Sequence, residues 1–74
     1  MIVKGNEITE AQVKAMMGAI NARFRASDLE KAAVKAGVPA GGVAIRAADR
    51  ILIQQRKKGT IQPIPEDKPY WTKL

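Results

Sequence analysis

The chain contains no cysteine and no histidine, which removes the cross-links that many very small domains use for stability. A domain of 74 residues buries only about 60% of its unfolded surface and lies near the lower limit for independent folding. Disulfides are impossible, and zinc would lack its usual ligands. We therefore expect one domain, residues 1–74, that is stabilised by helix packing and holds no metal and no cofactor.

The same two absences limit the chemistry that the chain can perform. Cysteine nucleophiles, serine–histidine triads and imidazole proton transfer all need residues that the sequence lacks. No motif places a general base beside a nucleophile, so we predict that the protein is not an enzyme and has no small-molecule ligand. No apolar run approaches the ~20 residues of a membrane span, and no signal-peptide pattern opens the sequence. We expect a cytoplasmic protein with no membrane contact.

Positive charge is concentrated in one segment of the chain. Thirteen Lys and Arg residues against seven Asp and Glu residues give a net charge of +6. Residues 1–22 and 60–74 are each neutral, whereas residues 41–59 carry five cations against one carboxylate: Arg46, Arg50, Arg56, Lys57 and Lys58 against Asp49. The helix dipole explains cations in a last helical turn, but it does not explain Arg46 and Arg50. A basic charge on one element favours a polyanionic partner.

Capping signals and apolar spacing predict three helices, over about residues 9–21, 27–36 and 41–58. Thr9 with Gln12, and Ser27 with Glu30, have the spacing of capping boxes. Apolar residues recur along the first helix at the spacing of one buried stripe: Val13, Met16, Met17 and Ile20. Gly37 and Gly59 are well placed as the stops of the second and third helices.

The third helix is predicted to have an apolar side and a basic side. At about 100° per residue, one side holds Val43, Ala44, Ala47, Ala48, Ile51, Leu52 and Gln55. The opposite side holds Arg46, Asp49, Arg50, Ile53, Arg56 and Lys57. Arg46 and Arg50 are like charges four residues apart, which slightly destabilises an isolated helix. We therefore favour a functional role for this pair over the alternative, a surface ion pair of Arg46 with Asp49 or with another residue of the helix.

Short extended segments are predicted before the second helix and after the third. Phe24 lies between Arg23 and Arg25, a pattern that fits a very short strand with Phe24 turned inward. Two β-prone runs around a Pro-rich turn predict a hairpin over residues 60–72, at a sheet edge. We expect Tyr70 and Trp71 to close the core, and Glu66 and Asp67 to be a solvated pair in the turn.

In this order of elements the chain resembles the winged helix-turn-helix family. The resemblance covers about residues 8–72, and the residues that carry it are Phe24-Arg25-Ala26-Ser27-Asp28-Leu29, Gly37-Val38, Arg46-Ala47-Ala48-Asp49-Arg50-Ile51-Leu52 and Arg56-Lys57-Lys58-Gly59-Thr60-Ile61. It implies an α+β, mainly α fold, a winged helix-turn-helix with three helices and a C-terminal β-wing of two to three strands.

The resemblance also implies a role for each part of the third helix. The helix would enter the major groove of double-stranded DNA. Arg46 and Arg50 would reach bases, while Arg56 and Lys57 would meet phosphates. Asp49 lies on the same side of the helix. For Ile53, contact with a thymine methyl, a place in a dimer interface and simple exposure all stay open.

Two glycines that open the third helix and three residues outside it complete the expected DNA-binding set. Gly41 and Gly42 would leave backbone N–H groups free for a phosphate. Arg23 and Arg25 would meet the DNA backbone, and Lys68 would be the contact of the wing. Two carboxylates beside Lys68 would repel a phosphate, which counts against insertion of the wing.

We therefore expect a DNA-binding protein associated with the nucleoid, a small transcriptional, phage or mobile-element regulator. A homodimer or a protein partner is expected to complete the binding unit, because one helix in one groove buries little surface. The alternative is a protein–protein adaptor whose basic helix meets an acidic partner. RNA binding is disfavoured, because the sequence has no Gly-x-x-Gly loop and no exposed aromatic pair.

Overall fold

Three helices and five short strands form the structure, a computed structural model that describes residues 1–74. The elements in chain order are β1 (Ile2–Val3), β2 (Asn6–Glu7), α1 (Glu10–Ala19), β3 (Arg23–Phe24), α2 (Ala26–Lys35), α3 (Gly42–Lys58), β4 (Ile61–Pro63) and β5 (Trp71–Lys73). All strand pairs are antiparallel. The α+β class with three helices is confirmed.

The start of α1 agrees with the expected capping box. The Gln12 backbone N–H donates to Thr9 Oγ1 at 3.1 Å, and the Thr9 backbone N–H donates to Gln12 Oε1 at 2.9 Å. The helix ends at Ala19 rather than at residue 21. Met16 and Ile20 are buried, while Val13 and Met17 are half-buried at the edge of the core.

The start of α2 differs from the prediction. The capping box of Ser27 and Glu30 is wrong, because α2 begins at Ala26 with Arg25 as its N-cap. The Asp28 carboxylate accepts the Arg25 backbone N–H at 2.8 Å. An arginine side chain has no acceptor, so only this half of a reciprocal cap forms. The carboxylate three residues after Arg25 determines the boundary, and Ser27 lies exposed in the first turn.

Two glycines end helices where the sequence places them. Gly37 has φ +96 after α2, and Gly59 has φ +77 after α3, the left-handed conformation that favours glycine. Between α2 and α3 the Val38 side chain is buried in the core. This turn brings α3 back across α2.

The apolar side of α3 forms the centre of the core, as expected. Six of its residues are buried, namely Ala44, Ala47, Ala48, Ile51, Leu52 and Gln55, and Val43 is half-buried. The α2 helix contributes Leu29, Ala32 and Ala33. Gln55 is the buried polar residue, and its Oε1 accepts the Thr60 hydroxyl at 2.6 Å, so that its burial leaves no polar atom without a partner.

A three-stranded sheet covers one end of the helices. Its strand order is β3-β5-β4, with Phe24 and Pro63 on either side of Trp71. Phe24 is fully buried, and Trp71 packs against the core. The expected hairpin and the third strand at Phe24 are confirmed, with Pro63 on the edge strand β4.

A second hairpin, β1–β2, was not expected from the sequence. Its two-residue turn consists of Lys4 and Gly5, at φ +49 and φ +80, which are the signs of a type I′ turn. Val3 is buried and anchors the hairpin to the core. Strands of two residues are too short to show an alternating pattern, so only the Lys4-Gly5 pair could have signalled the turn.

No helix of the structure combines the length and the apolar character needed to cross a bilayer.

The same substitution, isoleucine to valine, at two positions of α3 tests which face of this helix is buried. Ile51 is 0% exposed and Ile53 is 58% exposed. We expect Ile51→Val to lower the free energy of unfolding by about 0.5–1.5 kcal/mol, because a buried methylene is lost. Ile53→Val should change it by less than about 0.5 kcal/mol. Urea unfolding followed by circular dichroism measures both, and equal losses would contradict the assigned orientation of α3.

Candidate nucleic-acid interface

One face of α3 presents the residues that the sequence assigned to DNA binding. We call this face the α3 ridge, and it consists of Arg46, Asp49, Arg50, Ile53, Arg56 and Lys57. All six are exposed, because the opposite face of the helix is buried, chiefly against α2, with β4 and β1 also in contact. A single helix therefore brings together six of the eleven residues that the sequence assigned to DNA binding.

The cations of the α3 ridge have no intramolecular counter-ion. The two ion pairs of the structure join the Met1 amino group to Glu7 and Arg23 to Asp67. The alternative for Arg46, a pair with Asp49, does not form. Four cations and one carboxylate give the α3 ridge a formal charge of +3. This charge is available to an external anion.

A hydrogen bond to a neutral acceptor orients the Arg50 side chain and leaves its positive charge uncompensated. Its Nη1 donates to the backbone carbonyl oxygen of Ile2 at 2.9 Å. A neutral acceptor leaves the guanidinium charge in place, and the remaining N–H groups of the fork stay available for a ligand. No hydrogen bond or ion pair holds the Arg46 side chain.

A groove of about 990 Å³ lies beside the α3 ridge. It is lined by the α3 ridge together with Leu52 and Trp71. The tryptophan of β5 and the two aliphatic side chains of α3 thus form an apolar strip between cations. Ile53 lies on this strip, 58% exposed, in a position where its three possible roles all remain open.

The side chain of Lys4 covers the first turn of α3, and the sequence did not predict that this residue belongs to the site. A Cβ added to Gly42 would lie 2.9 Å from the Lys4 Nζ, so the ammonium group lies directly over this turn. Lys4 is exposed at the tip of the β1–β2 hairpin. Its segment has no net charge, and charge counting therefore gave no signal for it. Gly41 and Gly42 are both exposed, and Gly41 is the N-cap.

Arg23 and Arg25 lie on a different surface from the α3 ridge. They flank Phe24, so alternation along the strand places them on the outer face of the sheet, opposite Phe24 and Trp71. The Arg23 guanidinium is 4.1 Å from the centre of the Tyr70 ring and forms an ion pair with Asp67. The Arg25 guanidinium is 5.5 Å from the same ring. Both arginines thus contact the segment that joins β4 to β5.

The contacts of Arg23 and Arg25 contradict two expectations for the segment between β4 and β5. Tyr70 does not close the core but is half-buried under the two arginines. Asp67 is not a purely solvated carboxylate, because it pairs with Arg23. Trp71 does pack against the core. Lys68 is exposed at the tip beside Glu66, and the wing tip carries little net charge.

Comparison with known proteins gives no relative for this chain. No family model, no curated protein and no solved structure matches it.

The Arg23–Asp67 pair should contribute little to stability. Both side chains are about half exposed, and exposed pairs typically contribute about 0.2–1 kcal/mol. We expect Asp67→Asn to lower the free energy of unfolding by less than about 1 kcal/mol at low salt. Salt screening should remove most of this difference at about 1 M. Glu66→Gln is the matched control, since Glu66 has no ion-pair partner. Urea unfolding at two salt concentrations checks both variants, and a loss that is independent of salt would contradict the ion-pair assignment.

Proposed function

We propose that the protein binds double-stranded DNA through the α3 ridge, as a small winged-helix regulator. The observation that carries the proposal is the row of four cations without counter-ions on one exposed helix face. Folding alone gives no reason for Arg46 and Arg50 in this row, because like charges four residues apart weaken a helix. Neutralisation of these cations by DNA phosphates gives a reason for their presence.

The dimensions of α3 suit the major groove. A helix of 17 residues is about 25 Å long, and the groove is about 12 Å wide, enough for one helix. Arg46 lies in the half of α3 nearer its N-terminus, and Arg50 lies at the middle of the helix. In these positions we assign them to base edges, where a bidentate pair with guanine is worth about 1–3 kcal/mol of discrimination. Arg56 and Lys57 follow as phosphate contacts.

The order of elements supports the winged-helix assignment. A short strand precedes α2, a tight turn joins α2 to α3, and a hairpin follows α3. The strand before α2 pairs with the second strand of that hairpin. This arrangement is compatible with three helices and a wing. The near-neutral tip of the wing makes α3 the main contact, and Arg23 and Arg25 support the wing instead of meeting DNA.

Binding should depend steeply on salt. If the α3 ridge neutralises about three to four phosphates, the logarithm of the association constant should fall with the logarithm of salt with a slope of about −3 to −4. A single module buries only about 600–1,000 Å² of protein surface on DNA. We therefore expect tight, specific binding to require a homodimer or a protein partner.

An adaptor for an acidic protein is the second candidate, and the groove beside α3 favours it. The apolar strip of Leu52, Ile53 and Trp71 between cations suits an acidic peptide with an apolar anchor. Competition separates the two candidates. If an acidic peptide displaces duplex DNA only at the concentrations at which poly-glutamate also displaces it, the peptide acts as a general polyanion. In that case the DNA proposal stands.

Arg46→Ala is the sharpest single test of the α3 ridge. Because no intramolecular bond holds this side chain, its loss should leave the fold intact while removing one DNA contact. We expect the affinity for a labelled duplex to fall about fivefold or more at low salt. Arg50→Ala should weaken binding by well over twofold. Fluorescence anisotropy over a salt series measures both, with thermal unfolding as the check on folding.

Lys14→Ala provides the matched control for these variants. Lys14 is an exposed cation on α1, away from the α3 ridge, so its removal should change the affinity by less than about twofold. Amide shifts on addition of random duplex should cluster on residues 41–58 and spare residues 9–20. Absence of any binding by the unmodified protein at low salt would refute the proposal, as would equal losses for Arg46→Ala and Lys14→Ala.

A further inference from the structure

We propose that the β1–β2 hairpin is part of the DNA-binding surface, with Lys4 as a phosphate contact and the Ile2 carbonyl as the group that positions Arg50. This inference rests on the proposed function. It concerns a segment whose charge is neutral overall and which the sequence did not connect with binding.

The turn geometry fixes where the Lys4 side chain can reach. Lys4 and Gly5 occupy the two left-handed positions of the turn, and Val3 fixes the first strand in the core. The tip of the hairpin is therefore held against α3, where the Lys4 Nζ lies over Gly42. The ammonium group joins the same surface as Arg46 and Arg50.

Intramolecular contacts do not explain this location of Lys4. The dipole of α3 disfavours a cation near its N-terminus, and no carboxylate lies within ion-pair distance of Lys4. Cations gathered without counter-ions on one surface are complementary to a phosphate chain. The charge complementarity thus points to the backbone of the duplex that α3 would enter.

The contact of Arg50 with Ile2 gives the hairpin a second role. The carbonyl accepts one N–H of the guanidinium at 2.9 Å and so restricts the orientation of the fork. Arg23 shows the contrasting case, since its partner is the Asp67 carboxylate. A neutral acceptor positions an arginine and preserves its charge, whereas a carboxylate positions it and cancels the charge.

The two hairpins that flank α3 therefore differ in the charges at their tips. The tip of the C-terminal hairpin combines Lys68 with Glu66 and Asp67, and Asp67 is occupied by Arg23. The tip of the N-terminal hairpin has Lys4 and no carboxylate beside it in the turn. The geometry assigns the stronger phosphate contact to the N-terminal side, not to the wing.

Lys4→Asn tests the phosphate contact without weakening the turn. Asn-Gly is the favoured sequence of a type I′ turn, so the variant removes the charge while it suits the backbone at φ +49. We expect the affinity for a random duplex to fall about threefold or more at low salt, and the salt slope to decrease in magnitude by about one. Lys14→Asn is the control for charge, and Lys68→Asn is the comparison for the wing.

The outcomes separate this inference from the proposed function. Unchanged affinity and slope in Lys4→Asn, together with weakened binding in Arg46→Ala, would overturn the hairpin contact and leave DNA binding by α3 intact. A larger loss in Lys68→Asn than in Lys4→Asn would overturn the assignment of the stronger contact. Absence of duplex binding by the unmodified protein would overturn both proposals.

A double-mutant cycle tests the positioning of Arg50. A Cβ atom added at Gly5 would meet no neighbour within 4 Å, and φ +80 is unfavourable for valine, so we expect Gly5→Val to disturb the turn through the backbone. We add Gly5→Val to Lys4→Asn, with and without Arg50→Ala. A further loss of affinity of about twofold or more is expected only where Arg50 is present. Equal losses in both backgrounds would show a structural effect and would overturn the positioning role, while the Lys4 result stands on its own.

Discussion

The close packing of α2 on α3 determines the rest of the molecule. The two helices pack on each other, and both bury alanines, Ala32 and Ala33 on α2 and Ala44, Ala47 and Ala48 on α3. Small side chains let the two backbones approach, and larger ones such as Ile51 close the surrounding space. A rotation of α3 by one residue, about 100°, would bring charged side chains into this contact, and a buried charge without a partner is strongly unfavourable. The buried face therefore fixes the exposed one.

Much of this could be predicted because the relevant signals are local. The capping pair of Thr9 and Gln12, the glycine after each of the last two helices, and the two faces of α3 depend on residues within a few positions of each other. The start of α2 shows the limit of such signals. Two overlapping caps compete there, and sequence spacing cannot rank Asp28 acting on Arg25 against Glu30 acting on Ser27. The structure has the first.

The candidate site was predictable only as far as it lies on one helix. The ion pair of Arg23 spans 44 residues of sequence, and the hydrogen bond of Arg50 spans 48. No periodic pattern encodes such contacts. Counting cations treats Arg23, Arg50 and Lys4 alike, whereas the folded chain gives each a different state. The carboxylate of Asp67 neutralises Arg23, a carbonyl orients Arg50, and the turn places Lys4 over α3. The field at a surface depends on these states and not on the number of basic residues.

The stability cost of the uncompensated charges on α3 bears on the reason for their presence. A domain of 74 residues is expected to have a small margin of stability, because it buries a low fraction of its surface. Like-charged pairs such as Arg46 and Arg50 reduce that margin by a few tenths of a kcal/mol each, and carboxylates on the same face would restore it. The β4–β5 hairpin shows that the chain does use a carboxylate to balance an arginine, at Asp67. Local rules of stability are broken mainly where a site needs it, and the like-charged pair of Arg46 and Arg50 is such a break on the exposed face of α3.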